Sequence, residues 1–186
     1  MKKRGFPYFL LACLLQTGVC IGQISQETDE TWQQYTENGV QFKLPSDQFR
    51  YKIYDKQLPA LFNDLKLAFA SGEPDRIMSA KSDGKKIRCG IIIIYGKISV
   101  IGDTLVNSIA EAVKAEMLSE NIFTLAGESI GEKSRRKNVY LAFNVNSTLV
   151  TISLSFSDDS IVIASTEDAS VNGKETAYFI NQITFQ

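Results

Sequence analysis

Histidine is absent from the 186 residues, and that absence removes more chemistry than any residue present supplies. Ser-His-Asp and Cys-His nucleophile pairs, imidazole general bases and imidazole metal ligands all fall together. Three cysteines occur, Cys13, Cys20 and Cys89, and the first two lie in the apolar N-terminal run. Cys89 by itself can neither close an internal disulfide nor, without histidine, complete a zinc set. Its neighbours are Arg88 and Gly90, inside a hydrophobic strand pattern. Alternation puts Arg88 and Cys89 on opposite faces, so Cys89 is expected as a buried structural thiol.

The remaining candidates have plainer readings. Asp158-Asp159, between Phe156 and Ile161, suits a hairpin turn better than a calcium loop or an acid/base pair, since further oxygen ligands at regular offsets are missing. Lys133-Ser134-Arg135-Arg136-Lys137 is a basic cluster expected as a solvated loop between strands. Gly84, Gly90 and Gly96 recur without the context of a phosphate loop. Asn146-Ser147-Thr148 is expected as a tight turn. No catalytic, cofactor-binding or metal-ligating residue is therefore assigned, and no cofactor is expected.

The N-terminus reads as an export signal. Lys2, Lys3 and Arg4 precede an uncharged run from Phe6 to Ile21, the order of a bacterial secretory leader. Pro7, Gln16 and Gly18 interrupt that run, which is shorter than the about 20 apolar residues a membrane span needs. Cleavage after Gly22 would leave Gln23 first; the alternative is a lipobox, Leu10-Leu11-Ala12-Cys13, with lipid on Cys13. Residues 1–22 are thus expected as a signal peptide and 23–34 as a flexible polar lead-in, with one globular domain over 35–186. The product is expected in the periplasm or secreted, with no transmembrane span. Past residue 22 the chain carries 17 basic and 21 acidic side chains, a net charge of −4. That mild acidity has no field to hold a polyanion, so nucleic acid is excluded as a partner.

The elements follow from periodicity. Val40, Phe42 and Leu44 alternate with Gln41 and Lys43, predicting a strand over 35–44, and 49–54 alternates likewise. Leu58, Leu61, Phe62, Leu65, Ala68 and Phe69 predict an α-helix over 57–71, with Asp55 near its cap, Pro59 in its first turn and Gly72 as its stop. Asp83-Gly84 predicts a hairpin between 76–82 and 86–95, and Ile87 to Ile94 is apolar enough for a central strand covered on both faces. A second helix is predicted after Gly102, capped by Asp103 or Thr104, burying Leu105, Ile109, Ala112, Val113 and Met117. Strands over 122–130, 139–146, 148–156 and 161–166 form a meander, then Asn172-Gly173 opens a helix over 175–181 and 183–185 closes as a strand.

This is an α+β pattern, a mainly antiparallel sheet packed with two to three helices. The opening Gly39-Val40-Gln41-Phe42-Lys43-Leu44-Pro45-Ser46-Asp47, the apolar strand leading to a capped mid-chain helix, the meander, and the ending Tyr178-Phe179-Ile180-Asn181-Gln182-Ile183-Thr184-Phe185 resemble the PsbP-like α/β sandwich family over about residues 35–186. The resemblance implies a binding or accessory module. Two function classes stand: a non-catalytic exported module of a bacterial cell envelope that binds a protein or small ligand, or a carboxylate-dependent hydrolase working without histidine or metal.

Overall fold

The computed structural model describes residues 30–45, 49–54, 60–99, 101–133 and 136–185. The leader, residues 23–29, and Asp55, Leu58 and Pro59 lie outside the described residues. Among the described residues the strands form two antiparallel sheets. A three-stranded sheet has the order β1 (Trp32–Glu37), β2 (Val40–Pro45), β10 (Thr184–Phe185). A seven-stranded sheet runs β3 (Phe49–Tyr54), β4 (Arg76–Asp83), β5 (Ile87–Tyr95), β9 (Ser160–Asp168), β8 (Thr148–Phe156), β7 (Arg136–Val145), β6 (Thr124–Lys133). The expected α+β sandwich is thereby observed.

Two cores lie on the two faces of the large sheet. On one face, α1 (Asp103–Ser119) and a 3-10 helix (Ala60–Ala68) cover Ile77, Ile94, Leu141, Phe143, Ile152, Leu154 and Ile163. On the other, the small sheet and α2 (Lys174–Asn181) bring Val40, Phe42, Leu44 and Phe179 onto Met78, Ile91, Ile93 and Val162. β5 is therefore covered on both faces, as its continuous β-branched run predicts. Both early helices share one face, and the opposite face is closed by the second sheet.

Several local expectations are corrected. Residues 35–44 are two strands, because Asn38 (φ 42°) and Gly39 (φ 80°) form a two-residue turn in the left-handed region, and Glu37 pairs with Val40. Asn-Gly supplies that backbone more cheaply than other pairs, so this was a hairpin signal in plain sight. Residues 30–34 belong to the fold and not to a lead-in: Trp32 starts β1, and Glu30 is buried. Glu30 is held because its carboxylate accepts the amides of Lys85 (2.9 Å) and Lys86 (2.5 Å) in the β4–β5 connection. Gly84 sits under it: a Cβ there would fall 2.5 Å from Glu30 Oε2 and 2.9 Å from Pro45 Cβ.

The helix expected over 57–71 is a 3-10 helix over 60–68. Phe62, Leu65 and Ala68 repeat every third residue and bury one line of a three-per-turn helix, while Leu67 is left outside. In α1 the N-cap is Gly102, without a side-chain cap bond, and Val106 and Ala110 replace Leu105 and Ala112 in the buried stripe. The strands on either side of 134–135 also run further than expected, with Lys133 paired to Arg136; Ser134 and Arg135 lie outside the described residues.

Candidate functional site

The residues with chemical potential are scattered. Cys89 is buried against the small-sheet side of β5, and burial pushes its thiol well above the ordinary range, aided by the negative charges of Asp168, Glu30, Glu175 and Asp83. Arg88 points to the other face, where it meets Glu167 at 2.9 Å and Asp83 at 3.7 Å across neighbouring strands. Asp158 and Asp159 are a structural turn: their carbonyls accept the amides of Ile98 and Gly96, both at 3.0 Å, and pin the loop after β5. In the basic cluster, Lys137 pairs with Asp103 at 2.5 Å and the Arg136 guanidinium lies 4.3 Å above the Phe185 ring. None of these groups converges on another to make a site. Among the described residues no three or more Cys, Asp or Glu side chains gather as metal ligands.

A site does arise where the second layer stops short. On the face carrying the small sheet, β4, β5 and β9 present apolar side chains that Phe42 and Phe179 cover. Register continues that same face across β8, β7 and β6 as Ser153, Thr151, Tyr140, Ser129 and Asn138: Thr166 pairs with Thr151, Thr151 with Ala142, Ser153 with Tyr140, and Tyr140 with Ser129. The face is thus apolar at one end and hydroxyl-bearing at the other. Between its polar end and α2 lies a trough of about 220 Å³, lined by Ser129, Tyr140 and Thr151 from the sheet and by Thr176, Ala177, Ile180 and Asn181 from the helix.

The position of α2 fixes the trough's far wall. Asn172 (φ 57°) and Gly173 (φ 63°) turn the chain into the helix. Asp168 at the end of β9 then accepts the amides of Ser170 (2.7 Å) and Thr176 (2.8 Å), which ties the first turn of α2 to the sheet. The hydroxyls of Thr166 and Thr176 meet at 2.7 Å beneath it.

Hydrogen bonding over the polar half is nearly complete. Ser155 donates to Asn138 Oδ1 at 2.7 Å, and Asn138 Nδ2 donates to the Arg136 carbonyl at 2.8 Å. Tyr140 shares a hydrogen bond with Ser153; burial raises the phenol's pKa, and that bond partly offsets the rise. Thr151 is the exception: it is 1 % exposed, and its Oγ1 has no partner. A buried hydroxyl without a partner is uncommon, and here it belongs to a residue lining an open trough. The trough walls carry hydroxyls, one amide and apolar surface, and neither a carboxylate nor a cation is among its lining residues.

Sequence reasoning assigns none of these residues to a site. Ser129, Tyr140, Thr151, Thr176 and Asn181 read as ordinary polar positions and Ala177 and Ile180 as ordinary apolar ones, and 47 positions separate Ser129 from Thr176. A signal was nevertheless present: Val150 to Phe156 alternates Ser and Thr with Leu, Val and Ile, although the strand is interior to the sheet and mostly buried.

No protein-family model matches the chain, and no curated protein matches its sequence. Among solved structures, the solution structure of cyanobacterial PsbP (CyanoP) from Synechocystis sp. PCC 6803 is similar. It has a TM-score of 0.51 at 10 % identity, covering 89 % of this chain and 99 % of that one. The fold is therefore PsbP-like, as the opening strand, meander and closing helix-strand suggest; at this identity the likeness speaks to fold alone. No helix among the described residues is long and apolar enough to cross a membrane.

Proposed function

We propose that this chain is an exported, non-catalytic binding or accessory module of a bacterial cell envelope, working through the trough between α2 and β6–β8. The observation that carries this reading is the trough's lining: hydrogen-bonding groups that are neutral, set beside apolar surface. Such a surface recognises and orients; acid/base hydrolysis would want two facing carboxylates. The acidic residues nearby in the chain, Glu128, Asp168 and Glu175, do not line it: Glu128 pairs with Lys114 of α1 at 2.9 Å, and Asp168 is committed to the amides of Ser170 and Thr176. Export rests on the leader, Lys2-Lys3-Arg4 and the apolar run to Ile21.

Two measurements test the proposal. Intact mass of protein from a native host should begin at Gln23, whereas acyl chains on Cys13 would make it a lipoprotein. Envelope components retained by the folded domain should be lost by Ala177→Phe, which fills the trough from the helix side. Equal retention by the variant would take the trough out of the function.

A further inference from the structure

Resting on the reading of the trough as the working site, we propose that its ligand is a single neutral sugar ring, free or at the end of a glycan. Size is the first argument. A volume of about 220 Å³ equals the liquid share of roughly seven waters, and stays below the ~300 Å³ at which drug-sized sites begin. One ring with its hydroxyls fills such a space, and anything attached to the ring would extend out of the open side.

Charge is the second. An anion would seek a cation or free helix amides. The Thr176 amide in the first turn of α2 already serves Asp168, and the buried carboxylates of Asp168 and Glu175 stand close behind the helix wall. A cation would seek carboxylates, and none lines the trough. What remains is a ligand that both donates and accepts without net charge.

Surface chemistry is the third. Both walls mix polar and apolar groups: Ser129 and Thr151 with the Tyr140 ring on the sheet side, Asn181 with Ala177 and Ile180 on the helix side. A sugar ring matches such a mixture, with hydroxyls at its rim and C–H groups on its faces.

The test is an amide-resolved NMR titration of the folded domain with D-galactose, D-glucose and N-acetyl-D-glucosamine, each free and at the end of a short oligosaccharide. Inorganic phosphate and acetate serve as charged probes. At least one sugar should shift the amides of Ser129, Tyr140, Thr151 and Asn181 saturably at millimolar concentration. Stronger binding of the oligosaccharide would point to a glycan end, and equal binding to the free sugar. Ser129→Ala, which removes a half-buried hydroxyl of the sheet wall, should weaken binding about tenfold, the loss of one hydrogen bond, with its thermal midpoint unchanged. Ala177→Phe should abolish the shifts. Saturable phosphate or acetate binding without sugar binding would overturn the proposal, as would no saturable shift with any sugar. Should Ala177→Phe lose envelope components while no sugar binds, the trough reading survives and the ligand class fails. Should a sugar bind while those components stay on the variant, the ligand class survives and the envelope role of the trough fails.

Discussion

Ile93 and Ile94 are neighbours on β5, both wholly buried, and they belong to different cores. Ile93 packs under the small sheet and Phe179, whereas Ile94 packs under α1 and the 3-10 helix. Adjacent side chains of a strand point to opposite faces, so this pair measures the closure of both layers independently. Ile93→Ala and Ile94→Ala should each cost about 2–5 kcal/mol in urea melts. Ile92, only partly buried on the α1 face, should cost less, below about 2 kcal/mol. A loss under 1 kcal/mol at Ile93 or Ile94 would contradict a covered face.

Cys89 carries a pH signature. Its thiol is held well above the ordinary thiol range near pH 9, first by burial and then by neighbouring carboxylates. The folded protein therefore holds this proton more tightly than the unfolded chain, so its contribution is complete below pH 9 and declines as pH rises toward the folded value. Stability of the wild type should fall above pH 9 more steeply than that of Cys89→Ala, by up to about 1.4 kcal/mol per pH unit. A thiol reagent at neutral pH should label the native protein slowly and the denatured protein fast; parallel pH slopes for the two proteins would contradict the buried thiol.

Glu30 fastens the start of β1 to the β4–β5 connection. Glu30→Ala leaves the amides of Lys85 and Lys86 without that acceptor and should cost about 1–3 kcal/mol. Hydrogen exchange at those two amides should speed up by more than at Ile87. Gly84→Ala should damage the same clasp, because its Cβ would invade the space of the Glu30 carboxylate. Unchanged exchange at Lys85 and Lys86 in both variants would sink the clasp.

Gly39 reports on the β1–β2 turn. With φ at 80°, Gly39→Ala should cost about 1–2 kcal/mol, read as a lower thermal midpoint. Were 35–44 one continuous strand, the substitution would be neutral or stabilising.

Much of the fold is legible along the chain because its signals are local. The alternation of β7 to β9, the β-branched run Ile91–Ile94, the Asn172-Gly173 turn and the stripe of α1 each declare themselves within a dozen residues. Cys89 and the Asp158-Asp159 turn are likewise readable from their flanks. The break at Asn38-Gly39 was just as local, and a single alternating pattern that ran through it hid it. Helix type in 60–68 was not readable, since a line of apolar residues at spacings of three and four serves an α-helix and a 3-10 helix alike.

The trough and the Glu30 clasp belong to tertiary structure alone. Alternation says that Thr151 and Ser153 share a face of β8. It cannot say that Tyr140 and Ser129 continue that face, nor that α2 stops over β9 and leaves the face's polar end partly open. Those facts depend on strand neighbours, register and the reach of a second layer, which are set by packing between segments far apart in the chain. Glu30 is the same case: a carboxylate in a polar stretch looks solvated until the fold brings two backbone amides to it from 55 and 56 residues away. By itself the sequence determined the class of fold, the buried thiol and the chemistry that cannot occur. Where a ligand can sit was decided only when the layers met.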